Sequence, residues 1–285
     1  MNIKLFKQIC KADQYKLKSI LTKFLISKGY EVINKKEYIV AKGNIPICLV
    51  AHLDTVGLQL PQDIFHDKKN KVLWSPQLLG ADDRAGVYAI IQIIEDGYRP
   101  HIVFTTDEEI GAVGTQALVL QEENCPLENL KAIFQLDRRG SEDCVFYECD
   151  NPDFIKFVES YGFKTAYGSF SDISILAPAW GVAAANLSVG YYNEHMPIEY
   201  LRYDELENTI LKVEHILDDA ENMLSYSYIE KVYPKQQFRT RFDQTNCLIC
   251  KADLKDNGVV IPGNPPYCVC NECYNMYFDG SYLTV

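Results

Sequence analysis

No run of 18 apolar residues occurs in the 285-residue chain, which excludes a membrane-spanning helix of ordinary length. The first ten residues are interrupted by Lys4 and Lys7 and lack an apolar core followed by a small-residue cleavage site. No secretory signal is therefore expected, and the cytoplasm is the expected compartment. Basic residues are outnumbered, with 28 Lys and Arg against 39 Asp and Glu, for a formal net charge of -11. That balance argues against broad electrostatic binding to nucleic acid or to anionic membranes. Histidine is scarce, with five residues in all. There is no internal repeat and no low-complexity segment.

Cysteine, by contrast, is not scarce. Five of the ten cysteines (Cys10, Cys48, Cys125, Cys144 and Cys149) are scattered mostly among apolar residues and read as small buried hydrophobes. The other five, Cys247, Cys250, Cys268, Cys270 and Cys273, crowd the last 40 residues. Paired cysteines without a secretory signal favour zinc over disulfides. The chain is long enough for one sizeable domain and a small one. Its hydrophobic fraction of 47% and charged fraction of 24% are those of an ordinary globular protein.

Residues 13–28 place Tyr15, Leu17, Ile20, Leu21, Phe24 and Leu25 at helical spacing, ended by Gly29. Strands are expected at 30–34 and 38–41. The continuous apolar run Ile45-Pro-Ile-Cys-Leu-Val-Ala-His52 reads as a strand buried on both faces. A strand near 72–74, a helix over 87–95, a strand over 101–106 and a helix over 114–121 follow. Further strands are expected at 132–137, 144–149 and 183–189, and a helix at 152–161. A long helix should start at Asp204, where Asp204 and Glu207 have capping-box spacing, with Leu206, Ile210, Val213, Leu217, Ala220 and Leu224 on one stripe. Strands alternating with helices predict an α/β fold with a largely parallel central sheet covered by helices on both faces. Residues 1–225 would form this domain, 226–246 a linker and 247–285 a small zinc-ribbon-like module.

In such sheets ligands sit at the carboxyl ends of the strands, and that is where His52, Glu108, Glu109 and Asp137 fall. Asp54, Asp82, Asp83 and His195 join them from strand ends and loops. Alone, each has a plain alternative. Asp82-Asp83 could be a helix N-cap, Glu108-Glu109 a solvated loop, Asp137 the partner of Arg138 or Arg139, and His195 an ordinary loop residue. Jointly they form a set of N and O donors suited to zinc, with cobalt or manganese suiting the same donors. Three consecutive carboxylates, Asp107, Glu108 and Glu109, at the end of an apolar strand also call for a positive partner. Asp54 could accept the second imidazole N–H of His52 and set its tautomer.

His52-Leu-Asp-Thr-Val56, Gly80-Ala-Asp-Asp-Arg-Ala-Gly86, Thr106-Asp-Glu-Glu-Ile-Gly111, Leu136-Asp137 and Asn193-Glu-His195 resemble, in order, the metal-site motifs of the co-catalytic di-zinc exopeptidases. That superfamily includes peptidase T, glutamate carboxypeptidase-like enzymes and bacterial zinc aminopeptidases. The resemblance covers roughly residues 1–225. It implies that Asp82 bridges two metals, one completed by His52 and Asp137, the other by Glu109 and His195. It implies Glu108 as general base toward a metal-bridging water, with Asp54 behind His52, and it leaves Asp83 open. The implied activity is exopeptidase, first of all an aminopeptidase acting on short peptides. An amidohydrolase acting on N-acyl amino acids, or a carboxypeptidase, is the alternative from the same site. A scaffold that binds a partner through the ribbon is a further one.

The chain differs from peptidase T-like relatives in size. Only residues 138–194 separate Asp137 from His195, so no lid or dimerisation insert is expected there. Ser169–Asp172 and Leu187–Tyr192 should line the cleft. Arg138 and Arg139 could meet a substrate carboxylate or form structural ion pairs.

The module carries Cys247-Leu-Ile-Cys250 and Cys270-Asn-Glu-Cys273, two C-x-x-C pairs that call for one structural zinc, with Cys268 competing for the role of Cys270. Below about 50 residues, metal must supply what a core cannot. Its charge is not basic, so a structural or protein-docking role is favoured over nucleic-acid binding.

Overall fold

In the computed structural model the described residues are 1–57, 59–122, 124–232, 246–247, 249–254, 258–261 and 267–277, with backbone alone for 258–261, 267–268 and 276–277. The chain separates into two compact units, Met1–Lys231 and Val232–Val285.

The first unit opens with α1 (Ile3–Cys10) and α2 (Gln14–Ser27), followed by β1 (Glu31–Asn34), β2 (Tyr38–Lys42) and β3 (Ile45–His52). The hairpin β4 (Phe65–Asp67) and β5 (Val72–Trp74) precedes α3 (Ala81–Glu95), β6 (Pro100–Thr105) and α4 (Val113–Gln121). Next come β7 (Ala132–Arg138), β8 (Asp143–Val145), α5 (Pro152–Ser160), β9 (Lys164–Thr165), α6 (Ile173–Trp180) and β10 (Ala184–Ser188). The unit closes with β11 (Tyr191–Tyr192), β12 (Tyr200–Arg202) and α7 (Tyr203–Asp218).

Eight strands form the central sheet in the order β1-β2-β6-β3-β7-β10-β8-β9. The inner strands β6, β3, β7 and β10 run parallel, while β2 and β8 attach antiparallel. A second, antiparallel sheet has the order β11-β12-β5-β4. The expected α/β architecture is thus present. Residues 138–194, from the last residue of β7 to the loop before β12, hold only β8, α5, β9, α6, β10 and β11, with no inserted lid.

The period of two along each strand builds two cores. Ile47, Leu49, Ala51, Ile102, Phe104, Phe134 and Leu136 face one layer with α1, α2, α3, α5 and α7. Cys48, Val50, Val103 and Ile133 face the other, with α4 and α6. All of β3 from Ile47 to His52 is buried, as its unbroken apolar sequence requires.

Several elements depart from the sequence expectations. Helix α1 was not anticipated. It is held by Phe6, Ile9 and Cys10 packed into the first core, which an eight-residue helix needs because alone it is marginal. Helix α6 was hidden by Pro178 inside it. Strand β8 stops at Val145, and α3 begins at Ala81, six residues before its apolar stretch. The capping box does not form: α7 starts at Tyr203 with no side-chain cap, and Glu207 instead pairs with the Met1 ammonium. On α2, Leu17, Leu21 and Leu25 are buried, but Tyr15 and Ile20 are exposed.

Residues 226–231 pack on the first unit. Tyr226 lies against Phe154 and Phe157, Tyr228 N–H donates to the Gly181 carbonyl, and Asp150 N–H donates to that of Ile229. The rest of the expected linker, 233–245, lies outside the described residues.

Candidate metal centre

The carboxyl ends of β3, β6 and β7 and the start of α3 bring the motif residues together. His52 is the last residue of β3 and stands opposite Thr105, the last of β6. The chain then turns sharply. Gly111 and Ala112 N–H donate to the Glu108 carbonyl, and Gly114 N–H to that of Thr106. A Cβ on Gly114 would lie 2.5 Å from the Thr106 oxygen, so only glycine lets the turn close this tightly.

Asp54 ties this turn to the end of β3. Its Oδ1 lies 3.2 Å from His52 Nδ1 and accepts the Glu108 N–H at 3.0 Å, while Oδ2 accepts the Glu109 N–H at 3.0 Å. Asp107 faces away from the cluster, its Oδ1 accepting from Gln14 Nε2 at 2.7 Å.

Asp82 sits at the middle of the cluster and presents one oxygen to each imidazole. Its Oδ1 is 3.1 Å from His52 Nε2, and its Oδ2 is 3.2 Å from His195 Nε2. On the first side, Asp137 Oδ1 is 3.6 Å from His52 Nε2. On the second, Glu109 Oε1 is 2.9 Å from His195 Nε2. The five residues therefore divide into the two triads His52, Asp82, Asp137 and Asp82, Glu109, His195, with Asp82 common to both. Donor atoms of His52, Asp82 and Glu109 lie within 4.8 Å of one another, as do those of His52, Asp83 and Asp137. Asp83 is buried, and its oxygens are already engaged by backbone: Oδ2 accepts the His52 N–H at 3.2 Å and Oδ1 the Gly86 N–H at 2.9 Å.

The electrostatics fit a cation. Burial opposes charge on Asp82, yet hydrogen bonds from His195 and His52 hold its carboxyl well below the usual range. Burial works against a charged His52, but Asp137 and Asp54 push it well above its ordinary value. Hydrogen bonds to Asp82 and Glu109 raise His195 to about 10. Burial pushes Glu108 up to about 8, and burial with the neighbouring Asp82 pushes Asp137 up to about 7. Five carboxyl groups, Asp82, Asp83, Glu108, Glu109 and Asp137, crowd around two imidazoles, and burial without a cation pushes Glu108, Asp137 and Asp83 toward their neutral forms. The N and O donor set and its surplus of carboxylates fit divalent zinc.

A network around β7 fixes Asp137. Gln135 Nε2 and Tyr191 OH donate to its carboxylate at 3.0 and 3.2 Å, and Asn186 bonds both its N–H and its carbonyl. Glu199, which no sequence motif marks, is buried behind the site. Its Oε1 accepts the Asp82 N–H at 3.0 Å and its Oε2 the Gly80 N–H at 2.6 Å. Burial raises this carboxyl to about 7. Its only sequence signal is an acidic residue four positions after His195, which is too common a pattern to single out.

A cavity of about 190 Å³ opens over the cluster, lined among others by Asp82, Glu108, Glu109, Asp137, Ser169, Phe170, Tyr191 and His195. Of the segments expected to line it, Ser169, Phe170 and Tyr191 do so, whereas Asp172 turns into the core. There it accepts hydrogen bonds from Thr105 and Thr115. Arg139 does not pair with Asp137. Its Nη1 is 2.7 Å from Glu194 Oε1.

The second unit holds β13 (Gly258–Ile261), β14 (Tyr267–Cys270) and α8 (Asn271–Tyr277), with β13 and β14 antiparallel. The Sγ atoms of Cys247, Cys250, Cys270 and Cys273 all lie within 4.8 Å of one another. Backbone N–H groups of Cys250, Cys270 and Ile249 bring the Cys247 thiol down to about 6 against the effect of burial, which favours thiolate. Four sulfurs converging on one point fit a structural zinc ion. The side chain of Cys268 lies outside the described residues, as do those of Tyr267, Tyr277, Phe278 and Tyr282.

The mixed, mostly parallel sheet, with paired carboxylate–imidazole triads at its strand ends, resembles the co-catalytic zinc exopeptidases in fold. More particularly, residues 35–168 match the model of Peptidase family M28. That segment includes His52, Asp82, Glu108, Glu109 and Asp137, and His195 lies beyond it. Among solved structures, the chain is similar to the aminopeptidase PepT of Bacillus cereus ATCC 10987, at 16% identity and a TM-score of 0.62, over 77% of this chain and 98% of that one. It is also similar to a tripeptidase of Staphylococcus aureus subsp. aureus mu50, at 14% identity and a TM-score of 0.64, over 76% and 97%. An aminopeptidase from the archaeon Desulfurococcus kamchatkensis aligns at 15% identity and a TM-score of 0.56, over 76% and 94%. No curated protein matches the chain. The family match and these relatives support a metal-dependent peptidase. Among the described residues, no helix is long and apolar enough to cross a membrane.

Proposed function

We propose that the chain is a di-zinc exopeptidase, in the first place an aminopeptidase that hydrolyses short peptides. The observation that carries this reading is Asp82, whose two carboxylate oxygens face two different imidazoles, each backed by a further carboxylate. His52, Asp82 and Asp137 would hold one ion, and Asp82, Glu109 and His195 the other. Bound there, two zinc ions would supply an acidified water and Lewis-acid polarisation of the scissile carbonyl.

Glu108, lining the cavity and not part of either triad, takes the proton of the attacking water and passes it to the departing amine. Its carboxyl is raised to about 8 by burial, and a divalent charge beside it would lower it again into the range a base needs near neutral pH. Asp54 holds His52 by its Nδ1 and, through the Glu108 and Glu109 N–H groups, positions base and ligand together. Asp83 supports the backbone of His52 and Gly86. Cys247, Cys250, Cys270 and Cys273 would hold a third zinc ion as the structural centre of the second unit, a surface for a protein partner more than for nucleic acid.

The test is a panel of free and N-blocked short peptides, with and without chelator, alongside zinc analysis. Hydrolysis of free peptides alone, abolished by chelator, with about three zinc per chain, is the expected result. Cleavage of N-blocked substrates would instead assign an amidohydrolase or carboxypeptidase. One zinc per chain and no hydrolysis would leave a partner-binding scaffold.

A further inference from the structure

Charge is unevenly placed along the chain. Residues 1–30 hold seven lysines against the single acid Asp13, although the formal net charge of the whole is -11. These residues form α1 and α2, which pack on the first core through Phe6, Ile9, Cys10, Leu17, Leu21 and Leu25. Between the two helices and α3 runs an open trough of about 430 Å³, and none of its lining residues belongs to the metal centre.

The floor of the trough is apolar, made by Leu5, Ile9, Leu17, Leu21 and Ile91. Its two walls are helical stripes of the same spacing, i, i+4 and i+7: Lys4, Gln8 and Lys11 along α1, and Lys16, Ile20 and Lys23 along α2. Gln8, Lys11, Lys16 and Ile20 line the trough, and Lys4 and Lys23 extend the stripes by one turn each. A lysine therefore stands at both ends of both walls. Ile20 is 50% exposed on a helix whose buried row is Leu17, Leu21 and Leu25. Lys4, Lys16 and Lys23 are exposed and form no ion pair among the described residues, while Lys11 donates to the Gln62 carbonyl.

An apolar trough with cations on both long sides suits the apolar face of an amphipathic helix. The placement of the lysines selects among occupants. A fatty acid carries one charge and needs a cation at one end only. A nucleic acid needs the cations but gains nothing from a floor of leucine and isoleucine. Helix α1 spans eight residues, about 12 Å, so the trough seats roughly two turns of a helix with acids on its flanks.

We propose that this trough docks an acidic amphipathic helix of a partner protein, with its apolar face on the floor and its carboxylates against the four lysines. The surface is separate from the metal centre, and the inference does not depend on the peptidase reading.

The experiment titrates the zinc-loaded full chain, by calorimetry, with a synthetic helical peptide of about 14 residues, roughly four turns. The peptide carries leucine at i, i+4, i+7 and i+11 and glutamate at most other positions, and its blocked ends keep an exopeptidase from trimming it. A scrambled peptide of the same composition, a version with lysine for glutamate, and phosphatidylserine vesicles are run beside it. The expected result is binding of the acidic helix at least about tenfold tighter than either control peptide, and weakened by salt. Ile20→Glu should lower the affinity roughly tenfold or more, and Lys16→Glu combined with Lys23→Glu should lower it severalfold. All three side chains are exposed, so zinc content and denaturation midpoint should stay at wild-type values. No binding at about 1 mM peptide overturns the inference. Binding that the scrambled peptide matches, or that these variants leave untouched, overturns it too. Vesicle binding abolished by the same variants, without binding of the peptide, overturns it in favour of a lipid surface.

Discussion

Glu199 and Asp82 are joined through the backbone: a buried carboxylate oxygen of Glu199 accepts the Asp82 N–H at 3.0 Å, across 117 residues of chain. The other oxygen accepts the Gly80 N–H at 2.6 Å. The central residue of the cluster is therefore held by its main chain from behind, leaving both of its side-chain oxygens to face forward. Glu199→Ala leaves two buried N–H groups unpaired, at about 1–3 kcal/mol each. The expected outcome is a lower denaturation midpoint together with weaker zinc binding in a chelator competition. Wild-type values for both would remove Glu199 from the account of the site.

Glu108 lies outside both triads and lines the cavity. Glu108→Gln should retain the zinc content of the wild type and lose roughly 10²–10⁴-fold in kcat, the range for a general acid–base group. Loss of zinc in step with activity would make it a ligand.

Gly86 is where α3 meets β7. A Cβ there would lie 2.0 Å from the Leu136 carbonyl oxygen and 2.5 Å from Asp83 Oδ1. Neither the backbone nor the twice-bonded Asp83 can move aside, so Gly86→Ala should cost about 3 kcal/mol or more. Gly111 is a useful contrast. Its φ is +106, but a Cβ would meet nothing within 4 Å, so Gly111→Ala should cost only backbone strain, about 1–2 kcal/mol. Chemical denaturation of the two variants should show this order, and the reverse order would contradict the tight contact of Gly86 with Leu136 and Asp83.

A pH effect is expected far from the chemistry. His101, near the opposite end of β6, is buried, and its Nδ1 accepts the Gly43 N–H at 3.1 Å. Burial lowers its pKa below the ordinary 6.5, assisted by Lys42 and opposed by the Glu128 backbone and side chain. The unfolded chain therefore binds the proton more readily than the native one. The stabilisation is present above about pH 6.5 and is lost as the pH falls through that value toward the lower native pKa. The raised carboxyl and imidazole groups of the metal centre act in the opposite sense, so the effect is read as a difference: between pH 7.5 and 5.5 the denaturation midpoint of the wild type should fall relative to that of His101→Gln. Midpoints that run parallel in the two proteins would exclude His101 as its source.

Much of the fold was legible because its signals are local. The apolar run 45–52 could only be a strand buried on both faces, and it spans the same residues in the structure. The helix from Gln14 begins after Asp13, whose side chain caps it. What was not legible depended on contacts distant in sequence. Helix α1 exists because Phe6, Ile9 and Cys10 find a core built by strands far along the chain. The capping box expected at Asp204 was displaced when Glu207 found the Met1 ammonium.

The site divides in the same way. The sequence by itself determined which residues were candidates, because strand ends follow from short-range patterning and the five motifs fall at such ends or in the loops beside them. Only the tertiary structure decided how they are shared: that Asp82 turns one oxygen to His52 and the other to His195, that Glu199 clamps it from behind, and that Arg139 pairs with Glu194 while Arg138 keeps an unpaired donor. These are orientations of side chains across separations of 30 to 117 residues. They are set by how sheet, helix and loops pack together, not by the propensities of neighbouring residues.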